Sequence, residues 1–444
     1  MNRAQLLKEI FYAGIRAASS RSAVRGAVKA GKDRLIIRGT AYRPGRVIVI
    51  GAGKASVDMA LALEDLLGRR IDAGVVVTKY GHARGKSLKR ITVMEAGHPL
   101  PDENSVRAAK AILGLGRHVD RDTLVINLLS GGASSLLALP DGISLRDKVR
   151  TSALLLGSGA DIREVNTVRA QLSLIKGGRL GRALYPARVV SLIVSDVIGN
   201  DIDTIGSGPT AGHGPSAMDA VMVIERYGLS GRVPASVMER LRDRARHPDR
   251  PGHGARIRNI VLSDNMTALR ACVLKARQYG LRPVLLTHCL HGEAREAAMV
   301  LASIATYVRM HAKRDVCLMS GGETTVTVRG RGKGGRSQEF ALSFAMEIAD
   351  SGGISLLSAG TDGTDGPTDA AGAVVDTRSA ARMEALGMPP RRYLDNNDAY
   401  TALGRAGCLF KTGPTGTNVM DIQLIYVQGR TCRGGAFEDG GKAG

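Results

Sequence analysis

The apolar run Arg46–Ile50 ends in Gly51-Ala-Gly-Lys54-Ala-Ser56, and a helical apolar pattern follows at once. A strand that breaks on glycines and resumes as an amphipathic helix commits a chain to α/β packing. The junction is not a full G-x-G-x-x-G dinucleotide fingerprint, because Ser56 replaces the third glycine and Lys54 stands in the turn. Backbone N–H groups and the positive helix end at such a turn favour an anion, and Lys54 adds a full charge. Phosphate or carboxylate binding at Gly51, Gly53, Lys54 and Ser56 is therefore expected, rather than hydride chemistry.

The same strand–helix grammar continues. Strands are expected at Val47–Ile50, Gly74–Thr78, Thr123–Leu129 and Val189–Ser195, with helices at Lys54–Leu67, Glu103–Leu113 and Leu145–Leu156. Near-continuous apolar strands separated by amphipathic helices predict a parallel sheet covered on both faces. At 444 residues the chain exceeds one ordinary core, so two domains are expected. The division predicted is an N-terminal domain over 1–240, an Arg/Pro/Gly-rich linker over 241–258, a smaller α/β domain over 259–428 and a flexible polar tail over 429–444. Strands of the second domain are expected at Ile260–Leu262, Pro283–Thr287, Val316–Met319, Ser355–Leu357 and Ile422–Val427. A packed first helix is read from the apolar spacing of Leu6, Leu7, Ile10, Phe11, Ile15 and Ala18.

The net charge of +21 does not point to nucleic acid, since arginines are spread along the chain and there are no Trp and only 5 Phe for stacking. A positive cleft for small anions fits better. The 5 cysteines are widely spaced without a C-x-x-C pair, which suits a reducing cytoplasm, and no apolar run reaches membrane-spanning length.

Three apolar runs end in Ser and Gly: Leu128-Leu-Ser-Gly-Gly-Ala-Ser-Ser135, Leu318-Met-Ser-Gly-Gly-Glu-Thr-Thr325 and Leu356-Leu-Ser-Ala-Gly-Thr-Asp-Gly363. Ligands of open α/β sheets bind outside the carboxyl ends of strands. Ser130, Gly131, Gly132, Ser134, Gly321, Gly322 and Glu323 are thereby candidates for substrate or nucleotide contact. Asp196 follows another strand in Val194-Ser-Asp-Val-Ile-Gly-Asn-Asp201, placed to accept a hydroxyl proton or bind Mg²⁺, with Asn200 beside it. The basic segment Thr327–Arg336 reads as a loop able to close over phosphates, with Arg336 at a helix start. Asp362, Asp365 and Asp369 fail calcium-loop spacing and read as turn residues. Walker, protein-kinase and hydrolase-elbow signatures are missing from the sequence.

Taken together, Val49–Ser56, Glu95–Glu103, Leu129–Ser135, Ser195–Asp201, Ser207–Pro209, Gly334–Glu339, Gly360–Asp369, Asn397–Tyr400 and Thr412–Asn418 resemble the glycerate 2-kinases of the MOFRL type, over roughly residues 4–428. The resemblance implies transfer of the ATP γ-phosphoryl group to the 2-hydroxyl of D-glycerate, with Mg²⁺, giving 2-phosphoglycerate and ADP. It implies a Rossmann-like parallel-sheet N-terminal domain, a smaller mixed α/β C-terminal domain, and an active site in the cleft between them. Lys54, Asp196 and Arg336 fall on the family's proposed catalytic positions. Expected partners are D-glycerate and ATP, in a cytoplasmic monomer or homodimer without nucleic acid or membrane. Where the family usually has Lys-His, this chain has Ala170-Gln171, a change that bears on substrate preference. The alternative is an NAD(P)H-dependent hydroxypyruvate reductase. A dinucleotide site wants an acidic residue after the next strand, where Thr78-Lys79-Tyr80 stands instead.

Overall fold

The computed structural model describes residues 2–83, 85, 87–211, 214, 216–247 and 256–430. Two compact units emerge. The larger takes Ala17–Asp264 with Gly416–Val419, and the smaller takes the chain before Ala17, Asn265–Thr415 and the chain from Met420.

The larger unit begins with a small antiparallel sheet of β1 (Val28–Ala30), β2 (Leu35–Ile37) and β3 (Thr40–Tyr42). Its main sheet has six strands: β4 (Arg46–Ala52), β5 (Ala73–Lys79), β6 (Thr92–Ala96), β7 (Thr123–Leu129), β8 (Arg188–Val194) and β9 (Ile257–Ser263). They lie in the order β6-β5-β4-β7-β8-β9, and every pairing is parallel. β7 is buried along its whole length and β4 at all but its first residue, as a sheet covered on both faces requires. Order reverses at β4/β7, the switch point at which α/β sheets bind ligands. The helices start where side chains replace missing backbone bonds. Asp102 and Ser105 form a capping box for Glu103–Gly116, and Ser144 accepts from the Asp147 N–H at the start of Leu145–Gly157. A separate apolar cluster, including Leu155, Val165, Val168, Ile224 and Leu241, ties the helices after residue 144 together.

The smaller unit carries a mixed sheet in the order β10 (Arg282–Leu290), β11 (Val316–Gly322), β15 (Asp421–Val427), β12 (Ile354–Gly360), β13 (Gly372–Asp376) and β14 (Leu409–Phe410). β10 and β11 are parallel and the remaining pairs antiparallel. Aromatic residues concentrate in this unit's core, where Phe340 and Phe344 pack among alanines and leucines and Phe11 meets Phe410 edge-on at 5.4 Å.

Two expectations about the division give way. The segment 241–258 is not a linker throughout, since Leu241 to Arg246 complete the helix Ala235–Arg246 and Ile257-Arg258 open β9. β9 pairs with β8, so the boundary falls after residue 264 rather than near 240. The first helix, Arg3–Ala17, forms as expected but its residues to Arg16 group with the smaller unit. Residues 248–255 of the expected linker and 431–444 of the expected tail lie outside the described residues. Among the described residues no helix is long and apolar enough to cross a membrane.

Candidate active site

The turn after β4 spends its backbone donors inside the fold. Gly53 N–H donates to the Val77 carbonyl (3.1 Å), Lys54 N–H to the Gly131 carbonyl (2.9 Å), Ala55 N–H to the Ser130 hydroxyl (3.0 Å) and Ser56 N–H to the Gly53 carbonyl (3.2 Å). The buried Ser56 hydroxyl lies within donating distance of the carbonyls of Gly53 (2.8 Å) and Val77 (2.9 Å). Gly53 has φ +136°, and a Cβ there would sit 2.1 Å from Ser130 Oγ. A Cβ on Gly51 would sit 2.6 Å from the Leu128 carbonyl. The glycines expected to let a phosphate approach thus let β7 approach instead, and the anion-binding capacity of this turn narrows to the Lys54 side chain.

The turn after β7 is different. Ala133 and Ser135 N–H groups bond within the turn, but among the described residues those of Gly131, Gly132 and Ser134 meet no acceptor. Gly132 is left-handed (φ +85°), and a Cβ built on it would lie 3.0 Å from the His98 ring and 3.6 Å from Lys54 Cγ. A Cβ on Gly131 would lie 1.9 Å from Asp196 Oδ2, which also accepts from Asn418 Nδ2 at 2.9 Å. Only glycine at 131 lets that carboxylate rest on the turn. The Ser134 hydroxyl lies 2.9 Å from that of Ser207, which in turn donates to Asn166. The structure therefore brings Lys54, Gly131, Gly132, Ser134 and Asp196 into one locality. Ser130 is buried as the Ala55 partner. Asn200 Nδ2 bonds Asp264 at 2.7 Å. Asp201 closes its own turn on the Asp203 N–H and the Thr204 hydroxyl.

A pocket of about 500 Å³ opens beside this turn, lined by Gly132, Ser134 and residues of the helices 145–157 and 162–171. Two nearly buried lysines reach it. Lys148 Nζ donates to the carbonyls of Leu172 (2.8 Å) and Arg169 (3.2 Å), and Lys176 Nζ to those of Ser134 (2.8 Å) and Gly206 (3.3 Å). Burial, then the neighbouring Arg169 and Arg179, pushes the Lys148 ammonium down to about 7. Lys176 is likewise held well below its ordinary range, by burial first and then by Lys148 and Arg169. Gln171, at the position of the family's histidine, is buried with its side-chain oxygen accepting from Arg179 at 2.9 Å.

In the smaller unit, Arg336 begins the helix Arg336–Glu347 and is clamped by carboxylates. It donates to both Asp421 oxygens (2.6 and 3.0 Å) and to Glu323 (2.6 Å), using three of a guanidinium's five N–H donors. Burial disfavours its charge, but Asp421 outweighs burial and holds the guanidinium above its ordinary pKa. Asp365 bonds the Ser337 and Gln338 N–H groups at the same helix start, and burial with Asp421 pushes its carboxyl up to about 7. Gly321 and Gly322 answer to packing: a Cβ on Gly321 would meet Asn265 Oδ1 at 2.0 Å and one on Gly322 the Leu290 carbonyl at 2.2 Å. The expected flexible loop is fastened, with the N–H groups of Arg329, Gly330, Arg331 and Lys333 bonded to Asn397, Asn396 and Asp398. Among the described residues no three His, Cys, Asp or Glu side chains form a metal-binding group.

Reading the sequence alone did not single out Lys148, Arg169 and Lys176, because each comes from a separate segment and a charged residue reads first as a solvated one. Asn418 stood inside a matched segment, without an assigned contact.

Comparison with known proteins supplies the context for this geometry. The family described as Domain of unknown function (DUF4147) matches residues 6–242, and the MOFRL family matches residues 316–421. A D-glycerate 2-kinase of Thermotoga maritima is 43% identical over 383 residues, covering 85% of this chain and 89% of the relative. An Agrobacterium vitis protein with a provisional hydroxypyruvate reductase name is 41% identical over 431 residues, covering 95% of this chain and 94% of the relative. The crystal structure of a glycerate kinase from Thermotoga maritima superposes with a TM-score of 0.84 at 39% identity, covering 96% of this chain and 99% of that one.

Proposed function

The chain belongs to the DUF4147–MOFRL family of glycerate 2-kinases, and on that premise we propose that it transfers the γ-phosphoryl group of ATP to the 2-hydroxyl of D-glycerate, giving 2-phosphoglycerate and ADP. One observation carries the assignment of residues: a carboxylate, Asp196, and a lysine stem, Lys54, flank a single turn that still holds three open amides. Asp196 takes the proton of the attacking hydroxyl. Lys54 and the amides of Gly131, Gly132 and Ser134 offset charge on phosphoryl oxygens. Arg336 is proposed to serve transfer as well, with its orientation fixed by Asp421 and Glu323.

Mg²⁺ is commonly held by one or two carboxylates together with nucleotide phosphates, so a single Asp196 beside the open turn fits it without a protein cage. Bound there, Mg²⁺ would supply charge neutralisation on the phosphates. A cytoplasmic setting and a monomeric or homodimeric state belong to the same proposal.

The reductase reading has no comparable support. The turn Gly51–Ser56 has no free amide between Gly53 and Ser56 for a pyrophosphate, and Lys79 ends β5 where an acidic ribose partner would stand. Incubation with D-glycerate, ATP and Mg²⁺, read by phosphorus NMR beside a hydroxypyruvate–NAD(P)H control, tests the assignment. 2-Phosphoglycerate without NAD(P)H oxidation is expected. NAD(P)H loss without phosphorylation would overturn it.

A further inference from the structure

The pocket beside Gly132 and Ser134 gathers three basic side chains. Arg169 lines it, half-buried, with its Nε donating to Ser152 Oγ at 3.2 Å, and among the described residues no carboxylate meets its guanidinium. Lys148 and Lys176 add two buried amino groups to the same wall. Asp141, the carboxylate that acts on Lys148, is already shared by Arg240 and Arg244, each at 2.6 Å. Burial without a counter-charge disfavours the charged form of such groups, and an anion bound among them offsets that cost.

The rest of the lining tells which anion. Leu100, Leu156 and Ile162 stand exposed at the pocket, so its mouth suits carbon rather than a bare phosphate. Both lysines already give two N–H bonds to carbonyls, whereas Arg169 keeps both terminal nitrogens, in the planar fork that matches a carboxylate.

We infer that this pocket is the acceptor site for a 2-hydroxy carboxylate and that Arg169, oriented by Ser152, is the residue that grips its carboxylate. The inference rests on the kinase reading and deepens it. Gly132 and Ser134 belong to both pocket and turn, so an acid held on Arg169 has its hydroxyl beside the turn against which the Asp196 carboxylate rests. Lys148 and Lys176 shape the wall by holding the carbonyls of Arg169, Leu172, Ser134 and Gly206 in place. A bound carboxylate also favours their protonated state, which burial disfavours.

Initial rates of the full-length protein, with D-glycerate and ATP varied independently, test this on Arg169→Gln, Arg169→Lys and Ala153→Phe. The expected result for Arg169→Gln is a rise of about 10–100-fold in the D-glycerate KM, the loss of a charge-assisted bond pair, with the ATP KM within about twofold. Arg169→Lys, which keeps the charge but loses the fork, should fall between. Ala153 is exposed on the pocket wall, so Ala153→Phe narrows the pocket without disturbing the core and should raise the same KM. An unchanged D-glycerate KM in Arg169→Gln, or a rise confined to ATP, overturns the inference. If the wild type does not phosphorylate D-glycerate, the kinase reading fails separately, and equilibrium titration with D-glycerate alone decides. Binding weakened at least about tenfold in Arg169→Gln keeps the carboxylate grip. Equal binding in both, or none in the wild type, overturns it.

Discussion

Two glycine turns end the neighbouring parallel strands β4 and β7, and their sequences invite the same reading. In Gly51–Ser56 the absent side chains make room for the adjacent strand, and the amides from Gly53 to Ser56 find acceptors within the fold. In Ser130–Ser135 the absent side chain at 131 makes room for a carboxylate, and three amides stay unspent. A glycine motif reports close approach but not what approaches. Accounting for each N–H separates a turn that packs from a turn that binds.

The largest effect should come from Asp196→Asn, which keeps the Asn418 contact but removes the base. A kcat loss of about 10²–10⁴-fold is expected in the phosphorus NMR assay, with an unchanged melting temperature. Next is the matched pair of glycines. Gly131→Ala pushes the Asp196 carboxylate off the turn and should lower kcat by about 100-fold in a folded enzyme. Gly53→Ala meets Ser130 at a strained φ and should cost about 1–3 kcal/mol of stability by denaturant melts, with the folded fraction retaining its ATP KM. A Gly53→Ala variant of normal stability with a raised ATP KM would break the comparison. Ser56→Ala, smaller again, should cost about 1 kcal/mol through its lost hydroxyl bonds and leave KM values alone.

How much of this the sequence announced depends on what each residue touches. β4, β5, β7 and β8 stood out because apolar runs flanked by helix patterns have one reading, and Lys54 and Asp196 stood at strand ends where chemistry is expected. β9 is legible as a strand only at Ile260–Leu262 because Arg258 and Asn259 interrupt its apolar run, and the Pro/Gly-rich segment before it reads as a domain boundary although β9 pairs with β8. The affiliation of Arg3–Ala17 was hidden for another reason: apolar spacing says that a helix buries one face, not against which core. The roles of Gly53 and Gly321 were also invisible, since their neighbours Ser130 and Asn265 lie far along the chain.

A pH-dependent effect concerns the pocket wall. Between pH about 7 and its ordinary 10.5, Lys148 carries a proton in the unfolded chain but not in the fold, so stability gained from this group rises with pH through that window. Arg169, Arg179, Arg244 and Asp141 are the charged groups acting on it. Lys148→Met should flatten the climb of melting temperature between about pH 7 and 9. An unaltered slope would mean that the lysine is charged in the fold.

The contrast between the two turns is tested most directly by hydrogen exchange of the full-length protein, resolved to short peptides, with and without ATP, Mg²⁺ and D-glycerate. The expected result is protection gained on ligand binding at residues 131–134, with 53–56 protected to the same degree in both states. Protection gained at 53–56 with none at 131–134 would contradict the account, returning the phosphates to the first glycine turn.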